Sequence, residues 1–130
     1  MLFIEPEDMP TDEPVIDELT MRMAAALRKA TQPSRYFRLG LHRCVCGALS
    51  EAQDAILANG LRTNSLCVHY LAYHRSEVPE ADIEMVRALP PEFATPNSWE
   101  LHGAECLDEH DNLVDSYINR LRARYDKLAP

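Results

Sequence analysis

The sequence predicts a mainly α single domain of about five helices, with a short strand or hairpin near residues 36–46 and α+β as the alternative class. Three observations carry this. Apolar residues recur at helical spacing in several stretches, each bounded by proline, glycine or a capping residue. Between Tyr36 and Cys46 the period drops to two, which is a strand pattern. The 130 residues, 46% hydrophobic and 26% charged, are enough to bury one core without disulfide staples.

Residues 1–13 read as a flexible acidic segment, since Pro6 and Pro10 block a helix and five acids repel one another. Residues 14–130 form the helical domain. Thr11 and Asp12 are cap candidates for a first helix, and Val15, Ile16, Leu19, Met23 and Leu27 make its apolar face. Pro33 stops it. In the strand, Phe37, Leu39, Leu41 and Val45 face one side, while Arg38, His42, Cys44 and Cys46 face the other. Its partner is a hairpin bent at Gly40, the segment Leu61–Thr63, or a second copy of the chain.

Ser50-Glu51-Ala52-Gln53 has the spacing of a capping box and predicts a helix closed by Gly60. Thr63, Asn64 or Ser65 then caps the helix SLCVHYLAYHR. Another helix starts at Pro79 or Glu80, faces the core with Ile83, Val86 and Leu89, and ends at Pro90-Pro91. Thr95-Pro96 opens a last helical region with an interruption at Gly103. Leu107, Val114, Leu121 and Leu128 lie seven apart in it, with Tyr117, Ile118 and Tyr125 alongside. That stripe spans about 32 Å, as long as a small domain is wide, and predicts a homodimer through the C-terminal helix.

The net charge of −8 opposes non-specific nucleic-acid binding. Residues 22–75 nevertheless carry eight bases against two acids, which suits a small anionic ligand. No apolar run approaches the ~20 residues that span a bilayer, so no membrane partner is expected. The opening MLFIEPEDMPTDEP has neither the charge nor the apolar core of a signal or transit peptide. A cytoplasmic, reducing compartment follows, where cysteines serve as thiols or metal ligands more than as disulfides.

Three of the four cysteines (Cys44, Cys46, Cys67) and three of the five histidines (His42, His69, His74) fall in residues 40–79. Zinc takes three or four nitrogen or sulfur ligands at about 2.0–2.3 Å. His42, Cys44 and Cys46 share a strand face, and Gly47 allows the tight turn that a C-x-C chelate needs. Along an intact helix Cys67 and His74 are about 10.5 Å apart, and Cys67 and His69 point about 200° apart. At most one of Cys67, His69 and His74 therefore completes the set, and Cys67 is the softest donor. The expected zinc ligands are His42, Cys44, Cys46 and Cys67.

Two other readings stand beside this one. The cysteines can be small buried hydrophobes, with His69 and His74 as hydrogen-bonded helix residues. Alternatively, Cys67, His69 or His74, and Asn64 can supply the parts of a cysteine enzyme, although no nucleophile motif surrounds them. The ligand-binding candidates for an anion or an aromatic-stacked ligand are Arg38, Asn64, His69, Tyr70, His74 and Arg75, with Asn64 in the polar run ahead of a helix start and Arg38 and Arg75 in the same basic segment.

The blocks HRCVCG at 42–47, TNSLCVHY at 63–70 and HRSEVP at 74–79 resemble a family of small bacterial proteins of unassigned function. The resemblance covers about a third of the chain and implies a bacterial cytoplasmic origin, with no activity or cofactor attached. The expected function is a small binding or regulatory protein, possessing a structural zinc site and acting on a protein or small anionic partner. The alternatives are a cysteine/histidine enzyme for a small anionic substrate and a metal-free helical homodimer. An enzyme is the less expected outcome.

Overall fold

The computed structural model describes residues 1–31, 43–50 and 54–103. Among them are four α-helices, α1 (Glu18–Arg28), α2 (Cys67–Tyr73), α3 (Glu80–Arg87) and α4 (Ser98–His102), with one 3₁₀ turn at Arg75–Glu77. Two short strands, β1 (Ala55–Ile56) and β2 (Arg62–Thr63), pair antiparallel with Ala55 opposite Thr63. A mainly helical fold with a small hairpin is compatible with the predicted class, but the hairpin found pairs Ala55–Ile56 with Arg62–Thr63 and is not the one expected near residues 36–46. The helical stripe expected over residues 107–128, with the homodimer it predicts, and residues 36–42 of the expected strand lie outside the described residues.

The centre of the fold is α2. Six of its seven residues are buried, Tyr73 being the exception, so it faces the interior on nearly every side. It packs against α1 and α4, and α1 packs in turn on α3. Met23 and Ala24 of α1, Leu66, Val68, Tyr70 and Leu71 around α2, and Val86 of α3 share one cluster. Fully burying a side chain of this size contributes about 1.5–3 kcal/mol. No described helix is long and apolar enough to cross a membrane.

Three sequence expectations differ from what is found. The first helix begins at Glu18, not near Glu13, because Asp17 and Thr20 form a reciprocal capping box. Residues 11–16 are used elsewhere: the N–H groups of Thr11 and Val15 donate to the Tyr73 and Ala72 carbonyls, among the last of α2. The helix expected between Ser50 and Gly60 is replaced over Ala55–Ile56 by a strand. Leu57 N–H donates to the Leu61 carbonyl, and Gly60, at φ +85°, turns the hairpin instead of ending a helix. A short apolar run such as AIL fits either element, and pairing with Arg62–Thr63 and Thr31 decides it. Leu61–Thr63 thus meets β1. Of the strand near 36–46, the described part is an isolated bridge, Arg43 to Leu49, around a turn.

The acidic N-terminal segment is anchored along the same central stretch. Leu2 is fully buried, its carbonyl accepting from Asn64 Nδ2 at 2.5 Å, and the Met1 ammonium donates to the Arg62 carbonyl at 2.6 Å.

Candidate metal centre

Two local structures deliver four ligand atoms to one point. The first is the turn Cys44-Val45-Cys46-Gly47, closed by Gly47 N–H to the Cys44 carbonyl and Cys44 N–H to the Ala48 carbonyl, both at 2.9 Å. Gly47 takes φ +98°, which closes a three-residue loop that a side chain would strain. The turn lets two cysteines only two positions apart present their sulfurs to the same side. The second is α2 together with the residue that follows it. His69 projects from the helix, and His74 follows its last residue with φ −130° and ψ 34°. On a continuous helix these residues would point about 140° apart; leaving the helix at His74 brings the rings to 5.2 Å between centroids.

One ligand atom from each of Cys44, Cys46, His69 and His74 lies within 4.8 Å of the other three. Cys44 Sγ is 3.1 Å from His74 Nε2, and Cys46 Sγ is 3.3 Å from His69 Nε2. A zinc tetrahedron with ordinary bond lengths has S···N edges of about 3.6 Å, so these two edges need to open by only a few tenths of an ångström. All four residues are at most 2% exposed.

The outer nitrogens are also directed. His69 Nδ1 is 2.6 Å from the carbonyl of Leu101, in the last turn of α4, where a helical carbonyl lacks an intrahelical donor. An acceptor there puts the proton on Nδ1 and leaves the Nε2 lone pair towards the sulfurs. His74 Nδ1 faces Glu77 Oε2 at 3.6 Å, and neither atom has a hydrogen-bond partner among the described residues. α4 is itself fixed by the Asn97–Glu100 capping box, and the buried Glu100 carboxylate receives Arg28 Nη2 at 2.7 Å. That hydrogen bond also raises the Arg28 pKa.

The two thiols are unequal. The Cys44 thiol is pushed up, first by its hydrogen bond to Cys46 and then by burial. Cys46 is pushed down, because it receives the Cys44 S–H and also faces His69 and His74. The pair therefore holds one thiolate readily, and a metal that takes both sulfurs must displace the proton on Cys44.

Cys67, expected as the fourth ligand, lies outside this cluster, and His69 and His74 both enter it where only one of the three was expected. Cys67 sits fully buried in the first turn of α2, its pKa raised to about 12 by burial, with a hydrogen bond to Thr63 acting against that. Ideal helical spacing separates Cys67 from each histidine, but the pair His69-x4-His74 has itself a spacing that suits zinc. His42 and Arg38 lie outside the described residues. The other expected ligand-binding residues are engaged in the fold. Asn64 bridges the Leu2 carbonyl and Leu66 N–H, Tyr70 is 1% exposed in the core, and Arg75 grips Asp17 with Nη1 at 2.9 Å and Nη2 at 2.8 Å.

Comparison with family models, curated proteins and solved structures finds no match for this chain.

Proposed function

We propose that the protein is a small binding or regulatory module whose fold is held together by a zinc ion bound through Cys44, Cys46, His69 and His74. The observation that carries this is the paired orientation of the imidazoles. Each turns Nε2 to a cysteine sulfur and Nδ1 to an oxygen acceptor. Buried histidines that serve only packing have no need of that arrangement, whereas metal-bound histidines depend on it.

Four ligands from the protein, all buried, favour a structural role, because a catalytic zinc keeps one position for water or substrate. Zinc suits the donors, since two thiolates and two imidazoles form a soft, tetrahedral set. The cysteine-enzyme reading draws no support from Cys67, whose raised pKa is the opposite of what an attacking thiol needs.

Protein purified without chelator should carry close to one zinc per chain by elemental analysis. Cys44→Ser and His69→Ala should each lose it. Well-folded wild-type protein that stays metal-free when offered zinc would rule the reading out.

A further inference from the structure

The hydrogen bonds of the N-terminal segment run to the stretch that carries both histidines. Met1 reaches Arg62, Leu2 is held by Asn64, and Thr11 and Val15 bind the last carbonyls of α2. Between them, the N–H groups of Glu7 and Asp8 donate to Glu77 Oε1 at 2.9 and 3.4 Å. The other oxygen of that carboxylate, Oε2, faces His74 Nδ1 across 3.6 Å, too far for a hydrogen bond, and both atoms are buried.

We infer that Glu77 couples metal occupancy to docking of the N-terminal segment, its two carboxylate oxygens serving the metal-bound His74 on one side and residues 7 and 8 on the other. This rests on the metal centre proposed above. The physical link is the imidazole proton. A ring with one proton carries it on either nitrogen, and a metal at Nε2 obliges it onto Nδ1, aimed at Glu77 Oε2. The 3.6 Å gap then closes to a charge-assisted hydrogen bond, which holds the carboxylate in the orientation that receives Glu7 and Asp8. Without the metal, a proton on Nε2 sets the Nδ1 lone pair against Oε2, and the carboxylate is free to turn. Glu77 is thus a positioning residue for the centre, and the segment it anchors is a strap that tightens when metal binds. By linkage, a docked strap strengthens metal binding by the same factor.

The test uses hydrogen–deuterium exchange on the full chain, zinc-loaded and chelated, together with zinc affinity from competition with a chromophoric chelator. Exchange at Glu7 and Asp8 should slow at least several-fold on zinc loading, beyond any change in α1 and α3. Glu77→Gln should weaken zinc binding about tenfold or more. In its zinc-loaded form, exchange at residues 7 and 8 should be faster than in wild type while α1 and α3 are unchanged. That last comparison holds even if chelated protein unfolds. Zinc bound with wild-type affinity by Glu77→Gln, and no change at residues 7 and 8, overturns the coupling and leaves the centre standing. A wild-type chain that binds no zinc overturns both.

Discussion

Cys44, Cys46 and Cys67 are all at most 2% exposed, yet they have different chemistry. The difference lies in neighbours, not in burial. Cys46 receives a thiol proton and two imidazoles, which favour its thiolate, while burial dominates at Cys67 and favours its neutral thiol. Cys67→Ala should therefore keep its zinc and lose about 1 kcal/mol of stability, the usual scale for trimming a buried side chain. Cys46→Ala should lose the metal. Elemental analysis of the two variants side by side checks this, and zinc loss in Cys67→Ala would return Cys67 to the ligand set.

At the scale of elements, the site depends on where helices start and stop. Asp17 caps α1 and also binds Arg75, next to His74 of the candidate metal centre, and the Arg75 hydrogen bond holds its pKa at about 2. A carboxylate lowered on folding stabilises the native state above its ordinary value of 3.8, and that contribution is lost as pH falls towards 2. Asp17→Asn keeps a capping side chain but loses the ion pair. Its deficit in urea midpoint against wild type should be constant above about pH 4 and shrink between 3.8 and 2. A deficit that does not vary with pH would assign the effect to the cap. At the end of α4, Gly103 sits at φ +88°, where an added Cβ would lie 2.8 Å from the Leu49 carbonyl oxygen and 2.9 Å from its nitrogen. Gly103→Ala combines backbone strain with a clash against backbone and should cost about 3 kcal/mol or more by denaturant unfolding. Gly60→Ala meets nothing within 4 Å among the described residues, so it should cost only the strain, about 1–2 kcal/mol.

For the whole molecule, a metal held by these four residues would join a turn at residues 44–47 to α2 more than 20 residues further on, so its binding energy would become folding energy. The thermal midpoint should rise with free zinc. At a thousandfold excess over Kd the added stability is about 4.1 kcal/mol. Calorimetry in chelator and in buffered zinc measures this directly, and a midpoint that ignores zinc would contradict a structural role.

Much of this architecture was legible in local pattern. The helix around Cys67–Tyr73, the helix opening at Glu80, the helix end at Gly103 and the glycine turn after Cys46 follow from apolar spacing and from residues with restricted or unusual backbone freedom. Such signals act within a few residues, so the sequence by itself determined them. It also marked residues 40–79 as the chemical block. Only the tertiary structure decided which members of that block meet. β1 exists because Arg62–Thr63 and Thr31 offer it hydrogen bonds, and α1 starts late because α2 needs the N–H groups of Thr11 and Val15. Cys67 is passed over because α2 turns it into the core, while the chain leaves the helix at His74 and brings that ring back beside His69. The outer partners of those rings, Leu101 and Glu77, come from separate elements. Ligand choice is thus a matter of where helices end in space, and sequence spacing along an ideal helix does not contain it.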